Sequence, residues 1–184
     1  MIVVKYNGGI GNQLFQYAFS LYCKQYCSTV YADTAEYRRK TIHGGFLLET
    51  LIPTWTTEFP TISDEASQRW NTLSLADRVS NKLLHHFGKH YFEAYFSNTE
   101  QIVSFLADHK NSYLEGYWQN IHIVQPVLAK LQEGIVPPEK VTGTTDYQQI
   151  MLSHFTFAEA TISAVLMPAV IMGISVPSLI TQPQ

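Results

Sequence analysis

Residues 2–6, IVVKY, form an unbroken β-branched and apolar run, the mark of a buried strand. Gly8, Gly9 and Gly11 follow, and Asn12 is placed to cap a helix running to about Tyr26, since asparagine is a favoured N-cap and Gly11 permits a tight entry. In that helix Gln13, Gln16, Ser20 and Lys24 make one narrow polar stripe, while Leu14, Phe15, Ala18, Phe19, Leu21 and Tyr22 fill the rest. An apolar arc so wide predicts burial on more than one side. STVYAD, residues 28–33, reads as a second strand ending in Asp33. Strand, turn, helix and strand make a βαβ unit, which predicts an α/β fold with a parallel sheet.

Downstream the pattern is weaker. Residues 41–80 read as irregular, with Gly44, Gly45, Pro53 and Pro60 among scattered Thr and Ser, and FLLETLI as one short apolar stretch. LADRVSNKLLHHFG (75–88) has Leu75, Val79, Leu83 and Leu84 at helical spacing, with His85 and His86 as charges near the helix end. SYLEGYWQN (112–120) reads as a strand leading into a glycine turn, and Pro126 then opens a helix over PVLAKLQEG. After about Thr142 the character changes.

Composition narrows the class. The chain has 184 residues, long enough for one well-buried domain plus an appendage, with 46% hydrophobic and 15% charged residues. A net charge of −3 and a pI near 6.1 give no electrostatic reason to expect nucleic acid, which needs clustered Lys and Arg. The Arg38–Arg39–Lys40 cluster reads as a solvated loop. Cys23 and Cys27 lie four apart in the expected helix, so they share a face without disulfide geometry and read as small core residues. MIVVKY is too short for a signal-peptide core, which gives cytoplasmic as the expected location.

Glycine-rich turns between a strand and a helix N-terminus cradle anions, because backbone N–H groups and the helix dipole both favour negative charge. A dinucleotide fingerprint needs Gly-x-Gly-x-x-Gly and a distal acid. Gly9, Gly11 and Asp33 fit it, but Leu14 fills the third glycine position. The stretch GGIGNQLFQYAF instead closely resembles the N-terminal motif of glycosyltransferase family 11, the α-1,2-fucosyltransferases. TIHGGFLLETL (41–51) and YLEGYWQN (113–120) are similar to that family's next segments, in the same order, so the resemblance covers roughly residues 1–135.

The resemblance implies a GT-B-like architecture, of which residues 1–145 would be the N-terminal Rossmann-like half. It implies transfer of L-fucose from GDP-fucose to the 2-hydroxyl of a galactose-terminated glycan, with inversion and without a required metal or other cofactor. Carried over, Gly8, Gly9, Gly11, Asn12 and Gln13 would lie at the cleft as substrate- or donor-binding residues. Against this, Asn12 reads as a simple N-cap and Gln13 as an exposed residue. Tyr117, Trp118 and Gln119 stand open between acceptor-side groups and an aromatic core under a turn. Asp33, Glu49, Glu93 and Glu115 are candidates for the base by residue type only.

The family pattern then breaks. Where its members carry H-x-R-R-G-D-Y, the opening of the donor-binding half, this chain has HFTFAEATISA. The codons of Phe155 to Ile162, read one frame over, permit HIRRGDY, and Met172 to Thr181 permit a further family-like stretch in the same frame. A one-base slip near codons 145–153 is therefore expected, making 146–184 an out-of-frame tail and this chain inactive alone. A tail anchor is the alternative, and with it peripheral membrane association. Residues 164–180 are 17 in a row without charge, just reaching a membrane span, but Pro168, Gly173 and Pro177 interrupt them. A non-catalytic glycan-binding module is the remaining alternative.

Overall fold

The computed structural model describes residues 1–39, 44–71, 90–108 and 111–135. Within them lies one parallel sheet, ordered β2-β1-β4-β3. Its strands are β1 (Ile2–Lys5), β2 (Val30–Asp33), β3 (His90–Phe92) and β4 (Ser112–Glu115). The expected βαβ unit is present: α1 (Ile10–Cys23) carries the chain from β1 to β2, whose register pairs Val3 with Tyr31 and Lys5 with Asp33. The chain is an α/β protein.

Side chains alternate across each strand, so the sheet sorts its residues by parity. Ile2 and Val4, Val30 and Ala32, Tyr91 and Leu114 join the main core with α1 and with α6 (Thr99–Asp108), α7 (Ile121–Val124) and α8 (Leu128–Gly134). Val3 and Tyr113 join a smaller cluster with Tyr31, beneath Ala66 and Trp70 of α5 (Asp64–Asn71). The helices therefore clothe both faces, as a parallel sheet requires.

Helix α1 is buried all round: of its residues only Asn12 is not fully enclosed. That agrees with the wide apolar arc. The polar stripe, though, does not face water. Gln13, Gln16 and Ser20 are buried completely, turned toward the turn after β1 and the segment 44–59. Cys23 is buried, Cys27 half-buried, and both are free thiols.

Three readings of the sequence need correction. The helix begins at Ile10 with Gly9 as its N-cap, not at Asn12, because Gly9 is extended (φ −77°, ψ 179°) and the chain turns helical immediately after it. Described residues of the stretch read as irregular form α3 (Leu48–Leu51), α4 (Trp55–Glu58) and α5, with α3 inside FLLETLI. Strand β3 and helix α6 were not anticipated: β3 is only three residues long, and Ile102, Phe105 and Leu106 supply the helical spacing of α6. At Pro126 the chain makes a 3-10 turn, Gln125–Val127, before α8.

The expected helix over 75–88 with His85 and His86, and the tail 146–184 with its anchor and frame-shift readings, lie outside the described residues. Among the described residues, no helix is long and apolar enough to cross a membrane.

Candidate functional site

The C-terminal ends of parallel strands form the edge at which open α/β sheets bind ligands. Here that edge gathers described residues of the three segments that resemble family motifs, although they are far apart in sequence. After β1 comes the glycine turn. Gly8 has φ +79°, and a Cβ placed there would stand 2.4 Å from Asn12 Nδ2, so both conformation and space demand glycine. Gly9 has no side chain to cap the first N–H groups of α1, and no acid lies in its first turn.

Two buried amides lock this turn to the others. Gln13 Nε2 donates to Gly8 O (3.2 Å) and Gly45 O (3.0 Å), and its Oε1 accepts from Leu47 N–H at 2.9 Å. Gln16 Nε2 donates to Asn7 Oδ1 (2.8 Å) and to Gly116 O (2.9 Å), while its Oε1 accepts from Asn7 N–H at 3.1 Å. Each amide thus ties the turn after β1 to a second segment, Gln13 to residues 45–47 and Gln16 to Gly116. Tyr37 adds a bond from its hydroxyl to Gly8 O at 2.6 Å, and burial raises its phenol well above the ordinary range, so it remains a donor. At the foot of the stripe, Ser20 Oγ lies 2.8 Å from the Tyr6 hydroxyl and donates to Gln16 O.

The turn after β4 is built as tightly. Glu93 Oε2 accepts from both Tyr117 N–H and Trp118 N–H at 2.8 Å, and a Cβ on Gly116 would come 2.4 Å from Glu93 Cβ. Trp118 is held at φ +58°, a left-handed backbone unusual for so bulky a residue, and its ring stacks on Phe19 at 3.7 Å with a 10° tilt. Such outliers persist only where surroundings enforce them. Tyr117 points the other way and is 47% exposed. Gln119 Nε2 donates to Asn12 Oδ1 at 3.0 Å, joining the two turns across an exposed rim.

Of the residues expected at a cleft, Gly8, Gly9, Asn12 and Gln13 thus meet Tyr117 and Gln119 at one edge, with Gly11 buried in the first turn of α1. Trp118 belongs to the core, and its fully enclosed position removes it from the acceptor side. Gln13 is buried, not exposed, and acts on the turn rather than on a ligand.

The same edge carries a row of charged groups on the α5 face, since Lys5, Asp33 and Glu115 share the parity of Val3, Tyr31 and Tyr113. Lys5 Nζ lies 2.6 Å from Glu115 Oε1, and His90 Nε2 lies 2.9 Å from Glu115 Oε2. Burial alone would raise Glu115; the hydrogen bonds from His90 and Lys5 outweigh it and hold the carboxyl below its usual range. Asp33 accepts from Ala35 N–H (2.9 Å) and from the Tyr113 hydroxyl (2.7 Å). Glu49 is exposed on α3. Asp33, Glu93 and Glu115 are therefore engaged by internal partners. Among the described residues, no three His, Cys, Asp or Glu side chains converge to hold a metal ion.

Gln16, Asn7, Tyr37 and Gly116 were missed as site-builders. The signal was available: Gln13, Gln16 and Ser20 fall at i, i+3 and i+7, a stripe that either water or buried backbone must satisfy. No family model, curated protein or solved structure matches the chain.

Proposed function

We propose that the described residues form the acceptor-side, Rossmann-like half of an inverting α-1,2-fucosyltransferase of glycosyltransferase family 11, which transfers L-fucose from GDP-fucose to the 2-hydroxyl of a terminal galactose. One observation carries the reading. The three segments that resemble the family, GGIGNQ, HGGF and EGYWQ, are joined through described residues by Gln13, Gln16 and the Asn12–Gln119 bond. The strand order sets the turns after β1 and β4 side by side, and the Gln13 amide ties the third segment to them.

The chemistry fits an acceptor sugar. Tyr117 offers an exposed ring for stacking, while the Asn12–Gln119 pair offers an amide donor and acceptor for hydroxyls. Gly9 brings no side chain to the first N–H groups of α1, which suits close approach by the donor's phosphates. Residues 154–162 lack the arginine motif that would neutralise a GDP leaving group, so the 184-residue chain is expected to bind galactoside without measurable transfer. Calorimetric titration with lactose tests this: saturable binding that Asn12→Ala and Gln119→Ala weaken at least tenfold is expected. Equal binding of maltose, or binding indifferent to both substitutions, would overturn it. Saturable NAD(H) binding would favour a dinucleotide enzyme instead.

A further inference from the structure

A second concavity lies at the same edge but on the α5 side of the sheet. It encloses about 280 Å³ and is lined by Lys5, Asp33, Glu36, Arg39, Ser67 and Asn71. Helix α2 (Ala35–Arg39) divides it from the glycine turn: Tyr37 bonds Gly8 on one side, while Glu36 and Arg39, three apart, share the cavity side. This space is therefore distinct from the Asn12–Gln119 rim.

Its lining holds two cations, two carboxylates and two neutral polar groups. That balance gives no net attraction for an anion or a cation, and no apolar side chain is among the lining residues. What it offers is alternating donors and acceptors. The acceptor at its base is fixed in place, because Asp33 is only 2% exposed and takes bonds from the Tyr113 hydroxyl and Ala35 N–H. Behind it, Asn71 Nδ2 donates to the Tyr113 hydroxyl at 3.3 Å and to Ser67 O at 2.8 Å. Burial and the Asp33 charge push the Tyr113 phenol far upward, so that hydroxyl stays protonated and keeps orienting the carboxylate. A carboxylate has about four lone-pair positions. Described residues use two of them, which leaves two for a ligand.

We propose that this cavity is a binding site for a single sugar ring carrying a vicinal diol, with Asp33 accepting from both hydroxyls and Lys5 and Arg39 donating to the sugar's other oxygens. A fixed carboxylate matches a diol because its two oxygens take two adjacent O–H donors, and the carboxylate needs no ionic partner from the ligand. The volume sits just below the range of about 300–1,000 Å³ usual for drug-sized sites, which suits one ring and is too small for a dinucleotide. The ring can be free or can be the ribose of a nucleoside. The inference does not depend on the fucosyltransferase reading, since it rests on other residues.

The test is residue-resolved NMR titration of the full chain, following the Ala35 amide and the Asn71 side-chain amide. Methyl β-D-riboside is expected to shift both saturably, and methyl 2-deoxy-β-D-riboside to bind at least tenfold more weakly. Among sources, guanosine saturating more tightly than methyl β-L-fucoside would assign the site to a nucleoside; the reverse order would assign it to a free sugar, and either supports the diol. Equal response to riboside and deoxyriboside, no response to either, or saturation by inorganic phosphate alone would overturn the proposal. The comparison of ligands on the unaltered protein needs no variant. Asp33→Asn, checked for an unchanged fold, is expected to abolish the riboside preference.

Discussion

Replacing Gln16 by leucine separates an internal tie from a solvated polar stripe. The side chain is fully buried and makes three hydrogen bonds, to Asn7 Oδ1, Asn7 N–H and Gly116 O. Leucine keeps the volume and leaves those three groups without their partner. Each buried group left unpaired costs about 1–3 kcal/mol, toward the lower end here because Asn7 and Gly116 are only half-buried and can meet water. A buried leucine returns about 1.5–3 kcal/mol. The net expectation is a loss of about 2 kcal/mol, which at a urea slope of about 2 kcal/mol/M lowers the denaturation midpoint by about 1 M with the slope unchanged. Tryptophan fluorescence reads the transition, since Trp118 lies two residues past Gly116 in the same turn. Gln25→Leu, on an exposed residue just past α1, is the control and is expected to stay within about 0.5 kcal/mol. A Gln16→Leu midpoint equal to the unaltered protein's, or higher, would refute the reasoning and return the stripe to solvent.

Three more substitutions follow from the same geometry. Gly8→Ala meets both a left-handed backbone and the Asn12 side chain, and is expected to destabilise by about 1–2 kcal/mol in the same urea assay. Glu93→Ala releases two backbone N–H groups and the constraint on Trp118, with an expected loss of about 2 kcal/mol and a red-shifted emission. Glu115→Gln tests a pH dependence. Because the folded carboxyl is held below the ordinary 4.5, Glu115 contributes stability that is fully present above that value and is lost as pH falls through the folded value. The stability gap between the unaltered protein and Glu115→Gln should therefore be widest above pH 4.5 and shrink on acidification; a gap that widens in acid would contradict the assignment.

The parallel βαβ start was legible because IVVK and VYAD carry β-branched and aromatic strand formers and flank a stretch of helical period, local signals that tertiary packing had no reason to override. The cap was not. Asn12 has the chemistry of an N-cap, but Gly9 takes that position, and the asparagine side chain is spent on Gln119, far away in sequence. The exposed reading of Gln13 failed for a related reason: the stripe it shares with Gln16 finds its partners only in the fold, which supplies the half-buried backbone of Gly45, Leu47 and Gly116. Trp118 could not be assigned from sequence, because an aromatic beside a turn glycine stacks equally well on a sugar or on Phe19. The charged row was readable and overlooked. Lys5 and Asp33 close their strands at matched register, so period-two alternation alone places them on one face.

The central claim is that the Asn12–Gln119 rim beside Tyr117 receives a terminal galactose for attack by its 2-hydroxyl. Its most direct test is NMR titration of the chain with methyl β-D-galactoside and with the 2-deoxy analogue, following the side-chain amides of Asn12 and Gln119. The account predicts saturable shifts of both amides with the galactoside and at least tenfold weaker binding without the 2-hydroxyl. Identical curves for the two sugars, or shifts that leave both amides unmoved, would contradict it.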